Sequence, residues 1–318
     1  MRIKSKKAGV LFVAVVTALG ALEARSQERH LEPVGEFGAV LAYSVTLEGD
    51  YAYIGTTTGV AILNIANPAS IEKLASIDTL RDSRCVVLGR YAYVSSASAD
   101  QGLIVIDVSD RARPRVLGRH RGPAGYSEVQ VSGRYAYAVP STGGLDVIDI
   151  SQPAQPWLVG SVSWAGTAGR VRLTGRTAYV SRGEGGVRIV DVSEAASPRV
   201  VGEVAIEGRG GLITLVNGHL AVATERGVCL YDISAPRTPV LRKLLPGRLG
   251  DICSDGDRTL FIHSRGVTTV LDLSDIDSPR VLCTIGEYYH DLARRGDLVF
   301  GAMTGLKVYR LGADSRGE

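Results

Sequence analysis

Four consecutive residues late in the chain, Tyr288, Tyr289, His290 and Asp291, place two phenols, an imidazole and a carboxylate in one run. Asp251 and His263 stand upstream of them. Two His and two Asp are donor types for zinc, and Tyr with His can act as acid and base in glycan cleavage. Their spacing matches no metal motif, so neither a metal nor a cofactor is expected. A catalytic reading would use His290 with Tyr289 or Tyr288, and Arg84 or Arg170 to neutralise a substrate carboxylate. Trp164, Tyr126 and the Arg119-His120-Arg121 cluster are expected in exposed loops on the same face, where aromatic and cationic groups of this kind hold sugars or peptides. No phosphate-cradling loop, nucleophile elbow, Cys-x-x-Cys or dinucleotide fingerprint occurs.

What positions these residues is a repeat. Gly102 to Gly118 reads GLIVIDVSDRARPRVLG, and related stretches start at Gly144, Gly186, Gly227 and Gly266, with a worn copy at Gly59. In the five clear copies the Asp-to-Pro distance is always seven: Asp107 to Pro114, Asp149 to Pro156, Asp191 to Pro198, Asp232 to Pro239 and Asp272 to Pro279. Spacing held that tightly marks a repeated fold unit, since catalytic machinery is rarely needed five times. Each Asp precedes a Ser by two, which suits a carboxylate accepting backbone N–H groups in a tight turn. Calcium would need more oxygen ligands than the turn offers.

Each unit contains four short apolar runs rich in Val, Ile, Tyr and Leu, punctuated by Gly, Pro, Asn and Asp, which read as four strands. A turn glycine recurs at 49, 89, 133, 175, 218, 256 and 296, in steps of 38 to 44 residues. Seven four-stranded units of that length predict an all-β chain folded as a seven-bladed β-propeller. Residues 31 to 37 resemble only the tail of a unit, and residues 298 to 312 only its front. The N-terminal strand is therefore expected to complete the last blade beside Leu306 to Leu311, closing the ring and removing open strand edges.

The repeat resembles the LVIVD family, named for a third-strand motif carried here by Leu103-Ile104-Val105-Ile106-Asp107 and Val187-Arg188-Ile189-Val190-Asp191. The resemblance runs from His30 to Leu311 and implies an exported or surface-associated propeller. Many family members carry an anchoring domain after the propeller, whereas Leu311 is followed here only by a short polar tail, 313–318.

The first strand of a blade is innermost, so its early residues are expected at the mouth of the central channel. The position five before each turn glycine reads Ser44, Arg84, Glu128, Arg170, Ile213, Asp251 and Asp291 around the ring. Two readings stand: charges that satisfy one another, or a site for a polar or ionic ligand formed with Tyr126, Trp164 and His290.

The first 26 residues read as a secretory leader: Arg2, Lys4, Lys6 and Lys7, an uncharged apolar run from Ala8 to Leu22, then small residues. The alternative is an uncleaved anchor, though the run is shorter than the ~20 residues of a spanning helix. Removing the leader loses five positive and one negative charge, taking the formal +3 to −1, which leaves no overall electrostatic footprint for nucleic acid or an anionic membrane, and no membrane insertion of the mature chain is expected. Export permits disulfides, but Cys85, Cys229, Cys253 and Cys283 fall on strands too far apart to pair, predicting four free, buried thiols.

The expected molecule is a leader (1–26), one propeller domain (27–312) and a polar tail. It is expected to be exported to the periplasm or beyond, monomeric, and to serve as a non-catalytic scaffold that binds protein or glycan through its loop face. The alternative is an enzyme, a lyase or hydrolase, that cleaves an extracellular polysaccharide at the channel mouth.

Overall fold

The second strand of a repeat, such as Tyr135–Pro140, is buried along almost its whole length, because its side chains meet a neighbouring sheet on both faces. That two-sided burial explains why these strands read as continuous apolar runs. The computed structural model describes residues 31–78, 83–96, 102–122, 124–183, 185–206, 210–247, 251–264 and 266–312, which form strands and turns without a helix. The leader and the tail lie outside the described residues.

Blades 2 to 6 are separate four-stranded antiparallel sheets with neighbouring strands in chain order. Blades 7 and 1 share one six-stranded sheet, because two strands are longer than the repeat predicts. Leu298–Leu311 folds about Gly305 and supplies the two middle strands of blade 7. Leu31–Glu48 is the outer strand of blade 7 in its first half and the inner strand of blade 1 in its second. Leu31 pairs with Leu311 and Phe37 with Leu306, the predicted closing contact.

The core confirms closure independently. Seven apolar clusters fill the molecule, each straddling one junction between adjacent blades. One of them joins Phe300, Leu306 and Val308 of blade 7 to Ala42, Ile54 and Leu63 of blade 1. The fold is thus a seven-bladed β-propeller closed by its N-terminal strand.

The repeated Asp holds the turn into the fourth strand. The Ser109 amide donates to Asp107 Oδ1 at 2.9 Å and its hydroxyl at 2.6 Å, while Arg90 bonds Oδ2. Asp149, Asp191, Asp232 and Asp272 accept the amide of the Ser two residues on in the same way. These carboxylates are occupied as turn acceptors. All four cysteines are free; Cys85, Cys253 and Cys283 are buried, while Cys229 is only half-buried, short of the expected burial.

Candidate functional site

The inner strand of a propeller blade has no partner on its channel side, so its amides there need acceptors. In three blades the side chain at the ring position five before the turn glycine provides one for the next blade. Ser44 Oγ accepts the Cys85 amide at 3.3 Å, Glu128 Oε2 the Val171 amide at 2.8 Å, and Asp291 Oδ2 the Val45 amide at 3.0 Å. Glu128 also receives Arg172 Nη1 at 2.9 Å, and Asp291 Oδ1 receives its neighbour Leu292 at 3.1 Å.

Arg170 does something different. It is 3% exposed and reaches from blade 4 past blade 5 to blade 6, with Nη2 3.0 Å from Asp251 Oδ1 and Nη1 3.0 Å from the Ile252 carbonyl. Its reach is permitted by the apolar, fully buried Ile213 at the ring position of blade 5. Arg84, at the matching position of blade 2, makes no hydrogen bond or ion pair to any described residue. Its charge is nonetheless felt by Glu128, Asp291, His290 and Tyr288.

These environments set the protonation of the ring. Burial works to raise the Glu128 carboxyl, but Arg172, Arg170, Arg84 and the Val171 amide hold it below the ordinary range. For Asp291 burial wins, and its carboxyl is raised despite Arg170, the Val45 amide and Arg84.

On one side of the ring, toward the inner-strand ends and the turn glycines, the channel widens into a cavity of about 640 Å³. Arg84, Gln130, Arg172, Thr214, Ser254 and Arg294 are among its lining residues. On the other side lie the loops between second and third strands and between blades. There Tyr43, His290 and Tyr288 form a chain of ring contacts, with centroids 5.3 Å and 5.1 Å apart. Tyr288 is 36% exposed, and its hydroxyl lies 3.5 Å from His290 Nδ1.

His263 continues that chain inward, 5.4 Å from Tyr288, but is fully buried. Thr268 donates its hydroxyl to the Glu287 carbonyl, so it accepts from His263 Nδ1–H at 2.7 Å. His263 Nε2 is then a bare, buried acceptor without a partner. Burial, with Arg170 and His290 nearby, pushes this imidazole down to about 4.

Of the residues expected at the mouth, the structure brings Glu128, Arg170, Asp251 and Asp291 together with Arg84 in the ring, and sets Tyr288 and His290 beside them. It corrects two others. Tyr289 is fully buried between blades 6 and 7, its hydroxyl 2.8 Å from Glu287 Oε2 and 2.7 Å from Tyr309 Oη, so it does not enter the channel beside His290. Tyr126 is not an exposed loop aromatic but the first residue of an inner strand, fully buried and donating to Asp146 Oδ2 at 2.8 Å. Trp164 is half-buried against the core between blades 3 and 4, and Arg119 and Arg121 are exposed. Arg172 and the cavity beyond the ring were not singled out from the sequence. Among the described residues no three His, Cys, Asp or Glu side chains gather as a metal site.

The geometry can be compared with known proteins. No curated protein matches the sequence. Among solved structures, the computationally designed Ika8 protein superposes with a TM-score of 0.65 at 9% identity, covering 88% of this chain and 100% of its own. Sqt1 of Saccharomyces cerevisiae gives 0.63 at 9% identity, covering 91% and 100%. At that identity the likeness is one of fold alone. The LVIVD-repeat model matches residues 41–79, 83–121, 124–163 and 165–206, which are blades 1 to 4 and half of the chain. The chain belongs to the LVIVD-repeat family.

Proposed function

We propose that the protein is an exported, non-catalytic scaffold that binds a protein or glycan of the cell envelope through its loop face. The observation that carries this reading is the state of the ring. Ser44, Glu128, Arg170, Asp251 and Asp291 are engaged in blade-to-blade bonds, so the charges nearest His290 serve to hold the disc together. No described carboxylate hydrogen-bonds the His290 ring, whose Nδ1 meets Tyr288 Oη at 3.5 Å. A general base needs an orienting partner and a reacting atom within reach, and neither Tyr289 nor Tyr126 faces the mouth to help. Tyr288, Tyr43 and His290 instead form an amphipathic aromatic patch where blades 7 and 1 meet at the channel mouth, the kind of surface that anchors a partner. Export is supported by the basic, then apolar, then small-residue order of the leader.

The test is expression in the native host with the leader intact, followed by N-terminal sequencing and cross-linking of the envelope fraction. A mature N-terminus near residue 27 and a discrete cross-linked partner lost in Tyr288→Ala are expected. Retention of the leader, or a cross-link pattern unchanged by Tyr288→Ala and His290→Ala, would overturn it.

A further inference from the structure

The cavity beyond the ring opens on the face opposite the aromatic patch, and its floor holds an imbalance. Four arginines line it. Arg170 is bonded to Asp251 and the Ile252 carbonyl, Arg172 to Glu128, and Arg294 to the Thr259 hydroxyl at 2.6 Å and the Gly296 carbonyl at 2.8 Å. Arg84 alone among these four has no bonded partner among the described residues. The repeat explains why. Arg170 finds its acid two blades further round the ring, in blade 6; two blades on from Arg84 the ring position is Arg170 itself.

The nearby acids do not remove the imbalance. Glu128 is paired with Arg172 and the Val171 amide, both Asp291 oxygens accept amides, and Asp255, which also lines the cavity, accepts the Asp257 and Thr259 amides and lies 4.0 Å from Arg294 Nη1. A second orphan stands beside Arg84: Ser95, its cross-strand partner, is 1% exposed and its hydroxyl has no partner. In blade 4 the equivalent Ser181 is used, accepting the Arg170 amide at 2.8 Å. The Arg170–Asp251 bond crosses the channel at this level and forms the floor, so a ligand would enter from the turn-glycine side. There the lining is polar, with Thr46, Gln130, Thr214 and Ser254.

We infer that this cavity binds a small hydroxylated oxyanion, a sugar acid or sugar phosphate, with its charged group paired to the Arg84 guanidinium. A guanidinium presents a planar fork of donors that matches either anion bidentately, which is why the two sources share one chemistry. About 640 Å³ accommodates a mono- or disaccharide, within the usual ~300–1,000 Å³ of ligand pockets. The hydroxyl and amide side chains above Arg84 would replace the water around the sugar hydroxyls.

The experiment is calorimetric titration of the full-length exported protein with D-glucuronate, glucose 6-phosphate and neutral glucose, at low salt. Saturable binding of one or both anions but not of glucose is expected, and which anion binds assigns the source. Arg84→Gln should weaken it at least tenfold while leaving the melting temperature unchanged, because Arg84 has no bonded partner among the described residues; Tyr288→Ala, on the other face, should leave it intact. Absence of binding by either anion, equal binding of glucose, or binding that survives Arg84→Gln overturns the inference. None of these outcomes touches the loop-face reading, which stands or falls on Tyr288 and His290.

Discussion

Arg170 and Asp251 meet across the central channel, Nη2 to Oδ1 at 3.0 Å, and so tie blade 4 directly to blade 6, past the blade between them. The guanidinium is almost wholly buried, and its second arm holds the Ile252 carbonyl. Removing one member of such a pair leaves the other charge in a poorly solvated site, which typically costs ~3–5 kcal/mol, whereas replacing both by apolar groups is often neutral. Arg170→Met is therefore expected to destabilise the protein strongly in urea denaturation, and Arg170→Met with Asp251→Leu to recover most of the loss. A single variant within ~1 kcal/mol of the parent would show that the bridge contributes little.

Ring closure gives a second prediction. Gly305 has φ +94°, and a Cβ there would collide with the Phe37 carbonyl of the closing strand. The same collision with a fourth-strand carbonyl awaits a Cβ at Gly59, Gly186 and Gly227, so residues 31 to 37 dock on blade 7 as a native fourth strand does on blades 1, 4 and 5. Gly305→Ala should loosen the N-terminal strand, and deletion of 31 to 38 should leave an open edge that pairs between molecules. Limited proteolysis and light scattering check both. A deletion variant that stays monodisperse with an unchanged melting temperature would contradict the closure.

Repetition is what made the fold legible. The Asp-to-Pro spacing and the split repeat at the two ends fix the strand count, the blade count and the closing pair without reference to any single residue. The ring position was legible too, because parity along the inner strand is shared by all blades. What that parity could not tell is what each side chain meets. Arg84 and Arg170 occupy the same place in the repeat, yet among the described residues only Arg170 is paired, because its partner lies two blades away. Tyr289 was misplaced for a local reason: residues 286–290 precede the strand Asp291–Arg295, so no alternation fixes which of Tyr288, Tyr289 and His290 faces the axis. Tyr126 lies in a strand rather than a loop because that strand begins ahead of the apolar run that marks it in the sequence.

The turn carboxylates predict acid behaviour. The Ser109 hydroxyl, Arg90 and the Ser109 amide hold the Asp107 carboxyl down to about 2. A carboxylate depressed on folding contributes stability that is present above its unfolded value of ~3.9 and is lost as pH falls toward the folded one. Asp149, Asp191, Asp232 and Asp272 are lowered as well, so several turns lose support in the same range. Ser109→Ala removes the first of the Asp107 contacts. The variant should melt lower than the parent above pH ~4 and lose less stability between pH ~4 and ~2, so that the two profiles, followed by thermal melts, converge in acid. Coincident profiles would mean that the hydroxyl is dispensable.

His263 predicts a separate, higher window. Its imidazole is neutral and buried, with Nδ1–H committed to Thr268 and Nε2 unpartnered, and its folded value lies near about 4. The unfolded chain takes up the proton near pH ~6.5. Stability from this group is therefore full above ~6.5 and declines as pH falls toward ~4, by about 3 kcal/mol at ~1.36 kcal/mol per unit. His290 and His120 are also lowered, each mainly by burial, but each is only half-buried, so their share of the slope is smaller. His263→Gln keeps a polar group facing Thr268 but cannot titrate. It should flatten the stability profile between pH ~6.5 and ~4 relative to the parent, whereas His290→Gln should flatten it much less. Parallel profiles for parent and His263→Gln would mean that the buried imidazole is not the group that limits stability in mild acid.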